Sequence, residues 1–218
     1  MSQEAALRLH YFPFPGRAGA IRDALRIGGI AFEDVHLPPE RFHEQKAAGT
    51  LQFGTFPALE MTTPEGMVSA TQSNAILRFV GRQAGLYPAD DAVRALKVDE
   101  ALGCAEDINH AIGPSMGEKD AERRMAMRKI LAEETLPRLA GLLEGLLVAN
   151  GRTGFVVGHA LTVADLKLYW IADKLTNGTL DGIPKTLLDG YATVAAWRKN
   201  IAAVRAARLA AATTTTPA

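Results

Sequence analysis

The stretch LRLHYFPFPGRA at residues 7–18 decides how the first part of this chain folds. Apolar and polar side chains alternate from Leu7 to Phe12, as they do in a half-buried strand. Pro13 and Pro15 end that strand because proline cannot donate a ladder hydrogen bond. From 16 to 27 the apolar residues recur at helical spacing instead. The stretch therefore predicts a strand that passes directly into a helix, the first half of a βαβ unit.

The next residues complete a small mixed domain. Apolar runs, with Gly and Pro between them, predict a second strand, a helical segment, a two-strand hairpin and a closing helix, in that order. The second strand lies at residues 30–37 and the helical segment at 40–48. The hairpin strands lie at 56–61 and 67–69, and the closing helix begins at Thr71. A βαβ unit followed by a ββα unit is the thioredoxin-like arrangement.

Beyond Gln83 the pattern becomes almost wholly helical and rich in Ala and Leu. Four stretches show helical periodicity: 92–112, 121–148, 163–175 and 191–206. We therefore expect an α+β thioredoxin-like N-terminal domain followed by an all-α C-terminal domain. The expected boundaries are residues 1–83 for the first domain, 84–91 for a linker, 92–206 for the helical domain and 207–218 for a flexible, low-complexity tail.

One helix start in the second domain is marked by a capping box. Thr162 and Asp165 have the spacing at which each side chain can satisfy the other's backbone N–H. Leu161 and Leu166 occupy the two positions of a hydrophobic staple around the box. The segment therefore predicts a helix that begins at Val163.

The charge balance excludes some function classes. The 218 residues include 24 Lys and Arg and 24 Asp and Glu, so the formal net charge is zero. A neutral chain gives no bulk electrostatic reason to expect a nucleic acid or an anionic membrane as partner. The lone Cys104 forms no disulfide, no C-x-x-C pair and no thiolate zinc cluster, and we expect it to pack as a small apolar residue.

The same sequence indicates a cytoplasmic protein. Its first residues lack a signal-peptide pattern, and no apolar run is long enough to span a membrane. The phosphate-binding and dinucleotide-binding glycine motifs are absent, as is the H-E-x-x-H zinc motif, and the five His show no metal-ligand spacing.

Four segments, taken together and in order, resemble cytosolic glutathione transferases, the sigma class in particular. The resemblance covers nearly the whole chain except the tail. The segments are YFPFPGRA at 11–18, FGTFPAL at 53–59, QSNAI at 72–76 and TVAD at 162–165.

The resemblance implies an enzyme that takes glutathione as its co-substrate and activates its thiol. Tyr11 would donate a hydrogen bond to the glutathione thiolate, and Arg17 would support it. By the same resemblance, Lys46 would bind the glycyl carboxylate of glutathione, and Gln72 and Ser73 would bind its γ-glutamyl group. Thr55, Phe56 and Pro57 would contact the glutathione backbone, with a cis bond between Phe56 and Pro57. Phe42, where relatives carry tryptophan, and Asp107 of the partner subunit complete the set.

The resemblance also implies a second substrate and a homodimer. A small apolar electrophile would lie against Phe12, Phe14 and Met116, and Phe53 would anchor the dimer interface. Relatives hold an interfacial metal with three acidic residues, which correspond here to Gly103, Glu106 and Asp107. Since one ligand is missing, we expect no metal.

Other interpretations remain open from the sequence alone. Tyr11 also suits a packed strand tyrosine, Arg17 a solvated charge, and Gln72 with Ser73 a simple helix cap. The same site would serve a glutathione-dependent isomerase or peroxidase, such as a prostaglandin-D synthase. The fold also occurs in non-catalytic structural or interaction proteins, against which the intact set of site residues argues.

Overall fold

The computed structural model describes residues 7–214 and divides the chain into two compact units. Among these residues, one unit contains 7–87 together with 207–214, and the other runs from Pro88 to Ala206.

Residues 7–87 of the first unit contain four strands and three α-helices, besides two short 3-10 helices at Gly16–Ala18 and Gln52–Gly54. The order along the chain is strand, helix, strand, helix, two strands and a final helix. Their bounds are β1 Leu7–Tyr11, α1 Gly19–Ile27, β2 Phe32–His36, α2 Pro39–Ala47, β3 Ala58–Thr63, β4 Gly66–Ala70 and α3 Ser73–Gln83.

The four strands form one mixed sheet in the order β2-β1-β3-β4. β1 pairs in parallel with β2 and antiparallel with β3, and β3 and β4 form an antiparallel hairpin. The crossover through α1 explains why the first pair is parallel, since a tight turn cannot connect parallel strands. This topology confirms the predicted thioredoxin-like arrangement.

The core of this unit follows from the periodicity of its strands and helices. Leu7, Leu9 and Tyr11 alternate onto the buried side of β1. α1 and α3 pack together, and α3 also contacts β3. The largest buried side chains of these two helices are Ile21, Leu25, Ile76 and Leu77. Tyr11, the last residue of β1, therefore lies on the buried side of the strand, at the end of this core.

The second unit is helical, as predicted. Its helices are α4 Ala92–Gly117, α5 Ala121–Ile130, α6 Leu136–Ala149, α7 Val163–Thr176 and α8 Ala192–Thr214. Residues 207–214 thus continue α8, where we expected a flexible, low-complexity tail, because their Ala, Leu and Arg residues have high helix propensity. Residues 215–218 lie outside the described residues.

α5 and α6 are joined by a single π-helical turn, Leu131–Thr135. The sequence predicted one helix over 121–148, and the backbone is continuous through this turn. Pro137 follows the turn and lacks the N–H that an α-helical bond to residue 133 would need. A wider turn accommodates that missing bond, which accounts for the position of the π-helical turn.

The predicted capping box is present at the start of α7. The Asp165 carboxylate accepts hydrogen bonds from the backbone N–H groups of Thr162 and Val156 at 2.9 and 2.8 Å. It also accepts one from the Trp197 indole N–H of α8 at 3.0 Å. Asp165 is fully buried and Trp197 nearly so. One carboxylate therefore joins the start of α7, the preceding loop and α8.

Within residues 7–214, no helix is long and apolar enough to cross a membrane.

Candidate functional site

The Tyr11 side chain lies where β1 ends, and it is 6% exposed. Its hydroxyl oxygen accepts a hydrogen bond from the backbone N–H of Arg17 at 3.0 Å. Because that bond uses a lone pair of the oxygen, the hydroxyl hydrogen remains to be donated. Tyr11 is thus oriented as a hydrogen-bond donor, which a thiolate would require.

Gly16 makes room for this hydroxyl. Its backbone φ is +42°, and a Cβ atom at this position would lie 2.5 Å from the Tyr11 hydroxyl oxygen. A side chain would therefore both strain the backbone and push the phenol away. The glycine of the predicted motif is explained by this close approach.

The electrostatics around Tyr11 keep its hydroxyl protonated. Burial raises the pKa of Tyr11 above its ordinary value, and the Arg17 N–H and the charges of Arg17 and Arg22 oppose that rise. A phenol whose pKa stays above 10 carries its proton at neutral pH. The half-buried Arg17 therefore acts on the hydroxyl through its backbone N–H and through its charge.

Arg22 was not predicted as a site residue, yet it holds the loop after β1. Its guanidinium donates to the carbonyls of Phe12 and Phe14 at 3.0 and 2.9 Å. Its Nε contacts both carboxylate oxygens of Asp34 at 2.9 Å, and its Cζ lies 5.8 Å from the centre of the Tyr11 ring. The only feature of the sequence that could have indicated this role was the charged Arg22 among the apolar residues of α1.

Four phenylalanines form an aromatic cluster beside Tyr11. Phe12 stacks on Phe14 with ring centres 5.3 Å apart, and Phe42 and Phe56 are 5.1 Å apart. Phe12 also contacts Phe42 and Phe56 edge to face. Phe14 is 51% exposed, so the cluster presents an apolar surface to solvent. The structure thus brings Phe12 and Phe14 together, and their role as a wall for an apolar substrate stays a prediction.

Lys46 lies beside this cluster on α2. Its ammonium is 5.9 Å from the centre of the Phe42 ring, and its side-chain carbons pass along Gly54. Phe42 lacks the indole N–H of a tryptophan, so its contribution here is packing and a cation–π contact. The exposed ammonium of Lys46 remains accessible to an anionic ligand.

The segment before β3 contains the predicted cis bond between Phe56 and Pro57. Phe56 precedes Ala58, the first residue of β3 that pairs with β1, so its peptide group lies outside the ladder. The Thr55 hydroxyl oxygen is enclosed and has no hydrogen-bond partner among the described residues. The Thr55 hydroxyl is therefore a polar group without a described partner in the segment beside the aromatic cluster.

Gln72 and Ser73 mark the start of α3. Gln72 has φ +74°, a left-handed conformation that costs energy in a residue with a side chain. Its side chain is exposed, whereas Ser73 is buried as the first helical residue. N–H groups at the start of an 11-residue helix attract anions. The strained backbone at Gln72 thus places a polar side chain beside an anion-binding helix end.

Asp107 lies exposed on α4, in the second unit. The preceding Glu106 is paired with the buried Lys167 of α7 at 2.8 Å. Within residues 7–214, no three His, Cys, Asp or Glu side chains come close enough together to hold a metal ion. At the position that resembles a metal site, the Glu106 carboxylate already has an ammonium as its partner, and Gly103 supplies no ligand.

Cys104 is exposed rather than packed, contrary to our expectation. The residue lies on the solvent side of α4, a position that periodicity alone did not distinguish. Partial burial of the sulfur and the neighbouring Asp107 and Glu100 carboxylates raise the pKa of its thiol. A thiol with a raised pKa is a poor nucleophile at neutral pH. Cys104 is therefore a poor candidate for a reactive nucleophile.

Met116 lies in the last turn of α4 and is 54% exposed. Its thioether sulfur accepts a weak hydrogen bond from the Arg128 guanidinium, with nitrogen and sulfur 3.5 Å apart. Arg128 was not singled out from the sequence, because its partners come together only in the fold.

The chain is similar to known proteins over almost its whole length. Residues 106–206 match the family model described as glutathione S-transferase, C-terminal domain. Glutathione S-transferase A1 of Bos taurus is 32% identical, over 81% of this chain and 78% of that protein. The glutathione S-transferase class-mu 28 kDa isozyme of Schistosoma mansoni is 27% identical over 90% of each chain. A solved sigma class GST of Fasciola hepatica superimposes with a TM-score of 0.80, at 24% identity over 99% of each chain.

Proposed function

The chain belongs to the glutathione S-transferase family, and from this premise we propose that it transfers glutathione to small apolar electrophiles, with Tyr11 as the activating residue. The observation that carries this proposal is the hydrogen bond from the Arg17 N–H to the Tyr11 hydroxyl at 3.0 Å. It leaves a protonated phenol that can donate to a bound thiolate.

The chemistry that Tyr11 supplies is a shift in the thiol equilibrium. A thiol with a pKa near 8.5 is mostly protonated at pH 7, and the thiolate is the nucleophile. A hydrogen bond to a charged group contributes about 1.5–3 kcal/mol. Since one pKa unit corresponds to about 1.36 kcal/mol, Tyr11 lowers the thiol pKa by roughly one to two units. The sulfur then bonds to the electrophilic carbon, and the leaving group departs with its electron pair.

The remaining residues of the first unit hold the tripeptide. We assign the glycyl carboxylate to Lys46 and the γ-glutamyl group to Gln72 and Ser73 at the start of α3. The peptide group of Phe56, with Thr55 and Pro57 beside it, pairs with the glutathione backbone. Phe42 contributes packing. These assignments are supported by the exposed ammonium of Lys46 and by the helix N-terminus beside Gln72.

We further propose a homodimer with a sigma-like site. Phe53 is 73% exposed, and its backbone has a left-handed conformation. A large aromatic side chain that is this exposed suits insertion into a partner surface. Asp107 would then reach the glutathione amino group of the partner subunit. The segment YFPFPGRA at residues 11–18 supports the sigma-like assignment, and a cytoplasmic location agrees with the single cysteine.

The electrophile site consists of Phe12, Phe14 and Met116 in this proposal. Phe14 and Met116 are each about half exposed, so each side chain presents apolar surface to solvent on its own unit. No metal takes part, since Glu106 is paired with Lys167.

A substrate panel tests this function. The purified protein is first bound to immobilised glutathione and eluted with free glutathione, and retention is expected. It is then assayed with 1-chloro-2,4-dinitrobenzene, cumene hydroperoxide and a prostaglandin endoperoxide. Conjugation of the chloro compound is the expected main activity. Main activity with the hydroperoxide or endoperoxide would replace transfer by peroxidase or isomerase chemistry, and no retention on glutathione would indicate a non-catalytic protein.

A further inference from the structure

The dipeptide Asn-Gly occurs twice in the second unit, once at Asn150 with Gly151 and once at Asn177 with Gly178. Each asparagine directly follows a helix, α6 for Asn150 and α7 for Asn177, with a backbone φ of −77° and −80°. In such a pair the backbone nitrogen of the glycine can attack the asparagine side chain, because glycine has no Cβ atom to block the approach. The two pairs differ in the hydrogen bonds of the atoms that this reaction uses.

The side-chain amide of Asn150 is held on both sides. Its Nδ2 donates to the Thr153 hydroxyl at 2.8 Å and to the Gly158 carbonyl at 2.9 Å. Its Oδ1 accepts from the Gly158 N–H at 3.0 Å. The Gly151 N–H, which would supply the attacking nitrogen, already donates to the Val148 carbonyl at 2.9 Å. The hydrogen bonds at this pair therefore keep both reacting groups in place.

The side chain of Asn177 is exposed and has different partners. Its Oδ1 accepts two hydrogen bonds from Thr179, one from the backbone N–H at 2.9 Å and one from the hydroxyl at 2.7 Å. Its Nδ2 donates to the Asp173 carboxylate at 3.1 Å. Among the described residues, no acceptor takes the Gly178 N–H. The attacking nitrogen is therefore available, and two donors point at the oxygen on which negative charge would develop.

We propose that Asn177 is a site of self-deamidation, in which the Gly178 nitrogen displaces the side-chain nitrogen as ammonia. The Gly178 nitrogen loses its proton to solvent base and bonds to Cγ of Asn177, and Oδ1 takes up the electron pair of the C=O bond. The two Thr179 donors stabilise this oxyanion. The electron pair then re-forms the C=O bond while the Cγ–Nδ2 bond breaks, and the leaving nitrogen takes a proton from water.

The product of this step is a five-membered succinimide ring, which water opens at either carbonyl. Opening gives aspartate or isoaspartate at position 177, so the overall reaction consumes one water for each ammonia released. The new carboxylate lies beside Asp173 and at the C-terminal end of α7, where the helix dipole is also negative. The modification therefore weakens the end of α7 as the protein ages.

Peptide mapping of the aged protein tests this inference. The full chain is incubated in mildly alkaline buffer and digested under mildly acidic conditions, and mass spectrometry compares both Asn-Gly peptides with an unaged sample. Conversion at Asn177 should be at least about tenfold faster than at Asn150, which corresponds to ~1.4 kcal/mol in the barrier. Isoaspartate, identified with an isoaspartate methyltransferase, should form at Asn177, since direct hydrolysis gives aspartate alone. Equal rates at the two sites, or no isoaspartate at Asn177, would overturn the inference.

The unfolded chain is the matched control for the two pairs. Guanidinium chloride removes the hydrogen bonds at Asn150 and Asn177 and leaves the sequence unchanged, so the two rates should become similar. A preference for Asn177 that persists after unfolding would show that the neighbouring sequence, not the fold, sets the rate, and would overturn the structural basis of the inference.

Variants of Thr179 test the stabilisation of the oxyanion at an exposed position. Thr179→Val removes the hydroxyl donor and should slow the conversion of Asn177 by about tenfold, whereas Thr179→Ser retains the donor and should keep the wild-type rate. A Thr179→Val variant that reacts as fast as the wild type, or faster, would contradict this role of the hydroxyl. The reaction uses residues of the second unit and needs no glutathione, so its outcome is independent of the proposed function.

Discussion

At the scale of single residues, the chemistry depends on which partner each polar atom already has. The Tyr11 oxygen is paired with the Arg17 N–H, so the hydroxyl hydrogen is left for a ligand. Arg22 fixes the carbonyls on either side of Pro13 and thereby the loop that connects Tyr11 to Arg17. The proposed activating group, Tyr11, and its support, Arg22, are therefore separate residues, and their substitutions should have different effects.

Tyr11→Phe retains the ring and its packing but removes the hydroxyl, so the fold should survive while thiolate stabilisation is lost. The pKa of bound glutathione, followed by thiolate absorbance, should rise by roughly one to two units. Conjugation should fall about ten- to hundredfold near neutral pH and recover partly as pH rises, because base then supplies the thiolate. Wild-type turnover and an unchanged thiol pKa would show that Tyr11 is only structural.

Arg22→Met removes the charge of the arginine but retains much of its length. It should destabilise the fold by about 2–4 kcal/mol, since Asp34 loses a buried partner and two carbonyls lose their donor. It should also raise the pKa of bound glutathione, because Tyr11 is no longer held in place. Urea unfolding and thiolate absorbance measure the two effects.

Arg26→Met is the matched control for Arg22. Arg26 contacts the same Asp34 at 3.2 Å but is half exposed, so its loss should cost less than about 1 kcal/mol and leave the thiol pKa unchanged. If Arg22→Met does not fold, Asp34→Asn weakens the same clamp more gently. A folded clamp variant with a wild-type thiol pKa would contradict the positioning role of Arg22.

At the scale of elements, the start of α7 shows how a local motif is used by a larger structure. The capping box could be predicted from residues 162–165 because its hydrogen bonds are local. The bond from Trp197 could not, since it joins residues 32 positions apart. Asp165 therefore has a larger stabilising role than a helix cap alone would have.

Asp165→Ala leaves the buried N–H groups of Val156, Thr162 and Trp197 without an acceptor. We expect it to reduce the free energy of unfolding by roughly 3–5 kcal/mol, as measured by chemical denaturation. Asp120→Ala is the control, because Asp120 caps α5 through one bond at an exposed position and should cost only about 1 kcal/mol. Equal losses in the two variants would show that the Trp197 bond adds nothing.

At the scale of the whole molecule, the proposed dimer makes a quantitative test possible. Light scattering at micromolar concentration should give twice the chain mass for the wild type. Phe53→Ser should shift this towards the monomer, whereas Met67→Ser, at an equally exposed position, should not. A wild-type monomer would contradict the proposed assembly.

In the proposed dimer, Asp107 would lie in the glutathione site of the partner subunit. Asp107→Ala should therefore weaken glutathione binding, measured by calorimetry, when it is made in the wild-type chain. When it is added to the Phe53→Ser variant, it should cause no further loss of affinity. Equal effects in both backgrounds would mean that Asp107 does not act across the interface.

Most strands and helices could be predicted from the sequence because their core-facing residues recur with period 2 or 3.6. The cis bond before Pro57 and the glutathione-binding residues entered through resemblance, since no periodicity encodes them. Arg22 and Arg128 could not be predicted, because their partners are backbone carbonyls or side chains that meet only after folding. The exposure of Cys104 and the helical conformation of residues 207–214 depended on packing and helix length that no motif specifies.

The π-helical turn at Leu131–Thr135 changes the phase between the helical residues before it and those after it. A turn of this type holds one residue more than an α-helical turn, and each residue rotates the helix face by about 100°. Arg128, upstream of the turn, therefore points in a direction that an uninterrupted helix of the same sequence would not give it relative to Leu136. Deleting a single residue from this turn would rotate the two halves out of phase while leaving every other side chain identical. The number of residues between Arg128 and Leu136 is thus itself a structural constraint, independent of which residues they are.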